Sequence, residues 1–404
     1  MESEKVREFL KETFKNKYKI IEPKISPLTK PGENFLSVML KVDLKLKKDE
    51  ESAEETLHAV AKCVKTSNAF ASEIFPMAFR NEINFYKEVV PALHNFQRER
   101  GLDEIMDFFP EFYGARINKN GGDVVDDNVV LVLGNLNVQG YKNLDRYLGF
   151  DLEGAKLILK DLATLHATAL ALKFTKREEF EEKIKKYCQK AIPPPPHENE
   201  NPYKQKLAVF FEILEDYEEC RPYVKSLKNK FSKMREKLNE FFDLPPREPF
   251  ATLVHCDVWV NNTMQITEDG KLTKNKLVDF QLFFYQSPAT DVLFFLWTSV
   301  QTKILQNYFE SLLEYYHNEF IECLRNLNCN TNLFTFEKFL EEMDFAAPSN
   351  FMDIMYMTTF VVFGKKYQNE FDVDTDNVLK EDVPIIARDK IAYMVYEYGR
   401  RGWI

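Results

Sequence analysis

Cysteine is sparse in this chain of 404 residues: Cys63, Cys188, Cys220, Cys256, Cys323 and Cys329 stand apart, with no C-x-x-C pair among them. That scatter argues against a disulfide frame or a paired-thiol zinc site and reads as reduced, buried thiols of a cytoplasmic protein. Long apolar runs are missing. The nearest, Phe351 to Phe363, contains Asp353 and falls well short of the ~18 residues of a membrane span, so no membrane partner is expected. The opening MESEKVREFLKETFKNKYK is charged throughout and lacks the apolar core of a signal peptide. Basic charge is in deficit, with 54 Lys and Arg against 64 Asp and Glu, a net charge of −10 and a pI near 5.4. Nucleic acid, whose phosphates must be neutralised by Lys and Arg, is therefore excluded as principal partner. Nothing in the sequence points to a protein partner.

Apolar and aromatic residues are abundant, at 45% hydrophobic with 35 Phe and 18 Tyr. A chain of this length exceeds one ordinary domain and buries roughly three quarters of its unfolded surface. Residues 3–16 carry a helical stripe of Val6, Phe9, Leu10 and Phe14. Leu40, Val42, Leu44 and Leu46 then alternate with Lys41, Asp43, Lys45 and Lys47, the period of a half-buried strand. After the charged patch 47–55, a second strand is expected over 57–65. Residues 70–92 return to helical spacing through Phe75, Phe79, Ile83, Tyr86 and Val90, with Pro91 expected to end the helix. Residues 129–136 read as a buried strand entering a connector. Long helices follow, at 152–172 and 223–242, with a stiff Pro193–Pro196 stretch between them. The expected fold is α+β: a small β-rich N-terminal lobe (1–135), a larger mainly helical C-terminal lobe (136–404) and a cleft between them.

Around 252–281 the order is strand, loop, hairpin, strand. Thr252–Val254 leads into a loop from His255 to Asn262, Met264–Ile266 pairs back across Glu268-Asp269-Gly270, and Leu277-Val278 delivers Asp279. Asp257, Asn262 and Asp279 are thereby brought close together. Two crowded carboxylates are tolerable when divalent cations sit among them, and Mg²⁺ prefers a few protein oxygens plus phosphate and water. Asn262 and Asp279 suit that metal, which leaves Asp257 to orient and deprotonate an acceptor hydroxyl. Phosphoryl transfer from ATP needs little more than such positioning and charge neutralisation. Lys62 shares a strand face with Val60 and Val64, and a lone lysine there requires an anion. Glu82 sits on the buried stripe of its helix and needs a partner as well. A Lys62–Glu82 pair satisfies both, with an attraction of roughly 4 kcal/mol at ~4 Å and effective dielectric 20 before desolvation. On this reading Lys62 meets the ATP phosphates and Val60 roofs the adenine. Gly32-Glu33-Asn34-Phe35-Leu36-Ser37 reads either as a surface turn or as a phosphate-covering turn using backbone N–H groups and Ser37. His166 reads as a satisfied core histidine and His255 as a brace for the loop. Asp291 reads as a helix-start carboxylate that also fastens the loop backbone.

These blocks together resemble the ecdysteroid kinase-like family, relatives of choline and aminoglycoside kinases with a protein-kinase-like fold. The resemblance runs through Gly32 to Ser37, Lys62, Glu82 and Leu162-Ala163-Thr164-Leu165-His166-Ala167. It continues in Leu253 to Asn262, Asp279-Phe280-Gln281 and Ser287-Pro288-Ala289-Thr290-Asp291. It implies that Asp257 is the base, that Asn262 and Asp279 bind magnesium, and that Lys62 with Glu82 positions ATP. It further implies that the connector at Gly134, Asn135 and Leu136 holds the adenine edge, with Met264 beneath the ring, and that the acceptor is a small-molecule alcohol such as an ecdysteroid. A choline- or aminoglycoside-type kinase and a nucleotide-binding pseudokinase are the alternatives. Two departures stand out: Cys256 occupies a usual glycine position, and Gly134-Asn135 replaces an acidic pair. Phe294–Trp297 and Met352–Phe363 are candidates for either an apolar pocket or core.

Overall fold

In the computed structural model, which describes residues 2–21, 23–28, 37–49, 51–64, 71–122, 124–189, 204–232, 245–362 and 379–404, the chain opens with helix α1 (Glu2–Phe14). This helix lies across one face of an antiparallel sheet. The strands are β1 (Lys19–Ile20), β2 (Lys24–Pro27), β3 (Ser37–Lys47), β4 (Glu55–Val64), β5 (Phe112–Arg116) and β6 (Val130–Gly134). Short β1 and β2 both pair with β3, and the order continues β3-β4-β6-β5. Alternation in β3 sets the layering. Leu40, Val42, Leu44 and Leu46 pack with Val6, Phe9 and Leu10 of α1 and with Ala59, Ala61 and Val132. Each large side chain so buried contributes about 1.5–3 kcal/mol. Met39 stands opposite Lys62 and Lys41 opposite Val60, so by the two-residue period these four share the other face. A Cβ at Gly114 in β5 would come within 3.2 Å of the Phe9 ring, so the close seating of α1 requires glycine there.

The next helix begins as α2 (Ala71–Asn84), passes through a π turn at Phe85–Val89 and continues as α3 (Val90–Glu99). Pro91 therefore does not end the helix as its sequence suggests. The widened π turn comes just before it, and Pro91 falls in the first turn of α3, where a missing N–H and the ring are tolerated.

Beyond the connector come α4 (Leu152–Thr175), α5 (Arg177–Lys183), α6 (Lys204–Glu215) and α7 (Arg221–Ser232). Asp151 caps α4 by accepting from Gly154 N–H at 2.8 Å. The helix expected over 223–242 is α7 as far as Ser232; residues 233–242, Pro193–Pro196, the Gly32–Leu36 turn and the end of the second strand at Lys65 lie outside the described residues. Strand β7 (Thr252–Val254) pairs with β10 (Phe284–Gln286), and β8 (Thr263–Glu268) forms the expected hairpin with β9 (Lys271–Leu277). Helices α8 (Ala289–Ser299), α9 (Thr302–Asn326), α10 (Phe336–Tyr356) and α11 (Ile385–Arg400) complete a protein-kinase-like α+β fold of small sheet lobe and larger helical lobe. The two lobes share one apolar seam, in which Phe85 and Phe280 stack with centroids 3.7 Å apart. Phe294–Trp297 is buried in the main hydrophobic core. No helix among the described residues is long and apolar enough to cross a membrane.

Candidate active site

Two charged residues on apolar faces, Lys62 of β4 and Glu82 of α2, meet with Nζ 2.6 Å from Oε2. The same ammonium reaches the other lobe, where Asp279 Oδ1 lies 2.8 Å away. Lys62 is 6% exposed and Glu82 2%, so water takes little part in the bond between them, while the Asp279 side chain is 30% exposed. Burial works against the Lys62 charge, but the Asp279 and Glu82 carboxylates outweigh it and raise its pKa. Glu82 is pushed upward, first by burial and also by the Asp279 charge, against the pull of Lys62. One cation thus holds two carboxylates from separate lobes, an arrangement ready to exchange a carboxylate for phosphate oxygens.

Asp279 follows the end of β9 in the left-handed region, at φ 66°. Cys256 in the facing loop has φ 65°. Non-glycine residues rarely adopt that conformation, and the two together flank the cluster of oxygen-bearing side chains. Asn262 Nδ2 donates to both the carbonyl and Oδ2 of Asp257, each at 2.8 Å. Val278 N–H donates to the Asn262 carbonyl at 3.0 Å, which ties the loop to the strand that carries Asp279. With the side-chain Nδ2 engaged, the side-chain Oδ1 of Asn262 is the atom it can offer to a cation.

The loop is fastened from behind by Asp291, at the first turn of α8. Its carboxylate accepts from His255 N–H at 2.6 Å, Cys256 N–H at 2.8 Å and His166 Nε2 at 3.1 Å. Burial alone would raise this carboxyl, but the bonds and charges of His166 and His255 hold it below the ordinary range. His166 Nδ1 meets Tyr316 OH at 2.8 Å, as suits a satisfied core histidine. His255 Nε2 faces the Val278 carbonyl at 3.0 Å, so it carries the proton, and Nδ1 accepts from Asp257 N–H at 3.3 Å. Burial lowers its pKa, and a neutral ring spanning loop and strand is the expected brace.

The remaining expected residues belong to β3, β4, the connector and β8. Ser37 begins β3 on the face of Met39 and Lys41, beside Lys62. Val60 is half-buried two residues before Lys62, and Met264 is half-buried in β8. In the connector, Gly134 N–H donates to the Glu111 carbonyl, and Asn135 N–H donates to the His58 carbonyl. The Asn135 side chain accepts from Asn137 N–H at 3.1 Å. Asn135 is thus engaged within the connector, whereas Leu136 N–H bonds to no described residue. Several supports carried no sequence signal. Asn143 Nδ2 donates to the carbonyls of Asn261 and Thr263, each at 2.9 Å, and Ser299 Oγ accepts from Val260 N–H at 3.1 Å.

Burial lifts every thiol above its ordinary pKa, Cys63, Cys220 and Cys323 to about 12, and Cys188, Cys256 and Cys329 upward as well. Because the thiolate is the reactive form, native protein at neutral pH should resist iodoacetamide over a period in which denatured protein alkylates fully. Peptide mass spectrometry reads this site by site. Rapid native labelling of Cys256 would mean that its loop opens in solution.

A model of the ecdysteroid kinase-like family matches residues 31–329. No curated protein matches the chain significantly. Among solved structures, the chain is similar to spectinomycin phosphotransferase in complex with ADP and spectinomycin, at 12% identity over 97% of this chain and 98% of that one, with a TM-score of 0.40. It is also similar to the GDP complex of wild-type aminoglycoside 2'-phosphotransferase-IIIa, at 11% identity over 96% and 98% of the two chains, with a TM-score of 0.38.

Proposed function

The chain belongs to the ecdysteroid kinase-like family and is a small-molecule phosphotransferase with an alcohol group as acceptor; from there we propose that it moves the γ-phosphoryl group of ATP, with Mg²⁺, to a hydroxyl of an ecdysteroid-like alcohol. The observation that carries this reading is the Lys62 ammonium held between Glu82 of one lobe and Asp279 of the other. On this reading the N-terminal lobe, to residue 135, binds nucleotide, and residues 136–404 supply the catalytic loop and acceptor site. Lys62 turns to the phosphates and Glu82 keeps it in place. Ser37 adds a donor beside the phosphates, Val60 covers the adenine and Met264 supports it from below. Leu136 N–H, with the neighbouring Asn135 backbone, meets the adenine edge.

Asn262 and Asp279 fit Mg²⁺, a hard cation that takes a few protein oxygens and completes its shell with phosphate and water. When bound, it neutralises phosphate charge. Asp257 orients the acceptor hydroxyl and takes its proton as the acceptor oxygen bonds to the terminal phosphorus and the bond to the ADP oxygen breaks. Six cysteines without disulfides suit a cytoplasmic location, where thiols stay reduced.

The test incubates the protein and Mg-ATP with ecdysteroids, other small alcohols, choline and an aminoglycoside, followed by mass spectrometry. An ecdysteroid-type alcohol should gain one phosphoryl group as ADP accumulates. Preference for choline or the aminoglycoside would overturn the substrate class. Binding of Mg-ATP without transfer to any alcohol would make the protein a pseudokinase.

A further inference from the structure

A cavity of about 530 Å³ opens in the helical lobe, and none of the residues assigned to the nucleotide cleft lines it. One of its lining residues is Lys390 of α11, only 4% exposed. The Lys390 Nζ donates to the Val300 carbonyl at 2.6 Å, and no carboxylate among the described residues pairs with it. An ammonium has three protons to donate, and burying one without an anion is costly. Burial accordingly lowers its pKa to about 7, with no charged neighbour opposing the shift.

The start of α9 forms part of the same wall through Thr302 and Lys303. Gln301 makes no side-chain cap to this helix, and its amide donates instead to the Gly149 carbonyl at 3.2 Å. The positive end of a 25-residue helix therefore borders the cavity beside the exposed Lys303 side chain. Arg146 adds a third basic side chain to the lining. The two acidic lining residues, Glu219 and Asp389, are both solvent-exposed, and Asp389 accepts from Tyr217 OH at 2.6 Å. Leu148 and Ile386, 59% and 48% exposed, supply apolar surface at the rim, with Tyr393 and Tyr396 also in the wall.

We propose that this cavity is a second small-molecule site that takes an amphipathic acid. An anionic head, whether carboxylate, phosphate or sulfate, lies against Lys390 and the start of α9. An apolar or aromatic body lies against Leu148, Ile386 and the tyrosines. The carbonyl that Lys390 holds belongs to Val300, adjacent to Ser299, whose hydroxyl secures Val260 of the catalytic loop. A ligand held by Lys390 therefore lies one residue along the chain from the hydroxyl that supports that loop.

Phenyl phosphate serves as the probe, titrated calorimetrically into the full chain already saturated with Mg²⁺ and a non-hydrolysable ATP analogue. It should bind one molecule per chain, while phenol and benzylamine should not bind. Lys390→Met and Lys303→Glu should each weaken it by about tenfold or more, the loss expected for one charge-assisted contact. Because Lys303 is exposed, its variant reports on the site even if the change at 390 impairs folding. Absence of phenyl phosphate binding, binding only when the nucleotide analogue is left out, or equal binding in wild type and both variants would overturn the proposal.

Discussion

Asp257→Asn should lower turnover by about 100- to 10,000-fold, the usual contribution of a positioned general base, while Mg-ATP binding persists. Asparagine keeps the size and one oxygen of the carboxylate. It can still accept from Asn262 Nδ2, which lies 2.8 Å from the native Oδ2, so the loop retains its internal bond. What disappears is the capacity to take a proton. Acceptor phosphorylation and nucleotide binding, measured on the same preparation, separate these effects. A variant that also fails to bind nucleotide would show that Asp257 mainly holds the loop together, and the assignment of a base would fall.

The largest loss of stability is expected from Asp291→Ala. Its carboxylate is fully buried and accepts three bonds, two of them from the successive N–H groups of His255 and Cys256. Removing one member of such a buried network costs about 3–5 kcal/mol, since the donors left behind have no water to meet. Asp291→Asn, which retains one accepting oxygen, should lose less. The pH dependence has a definite sign. The folded carboxyl is held below its ordinary value, so its contribution is complete above the unfolded pKa of about 3.9 and is lost as pH falls through the folded value. Denaturant titrations should therefore show a wide gap between wild type and Asp291→Ala at neutral pH, narrowing in acid. A gap under about 0.5 kcal/mol at pH 7, the size of an ordinary surface change, would contradict the role given to this residue.

The elements that frame the cleft were legible because they rest on short-range patterns. The alternation of β3 follows from one strand having one wet and one dry face, and the hairpin follows from Asp269-Gly270 between two short strands. The Lys62–Glu82 contact was inferable since each residue alone would be a costly charge on an apolar face. Pro91 misled because its tolerance depends on the π turn before it, which no local periodicity announces.

By itself the amino-acid order determined which side chains come together, since Asp257, Asn262 and Asp279 stand at spacings that loop, hairpin and strand convert into neighbours, and Lys62 stands on a strand face where it needs an anion. Only the tertiary structure decided what holds them there. Asn143 reaches across 118 residues to the carbonyl of Asn261, Ser299 across 39 to Val260, and Asn81 across 200 to Gln281. Lys390, in the wall of a cavity outside the cleft, reaches across 90 to Val300. Such contacts leave no local trace because each depends on where two distant segments come to rest, which is set by the packing of the whole core rather than by either segment's own pattern.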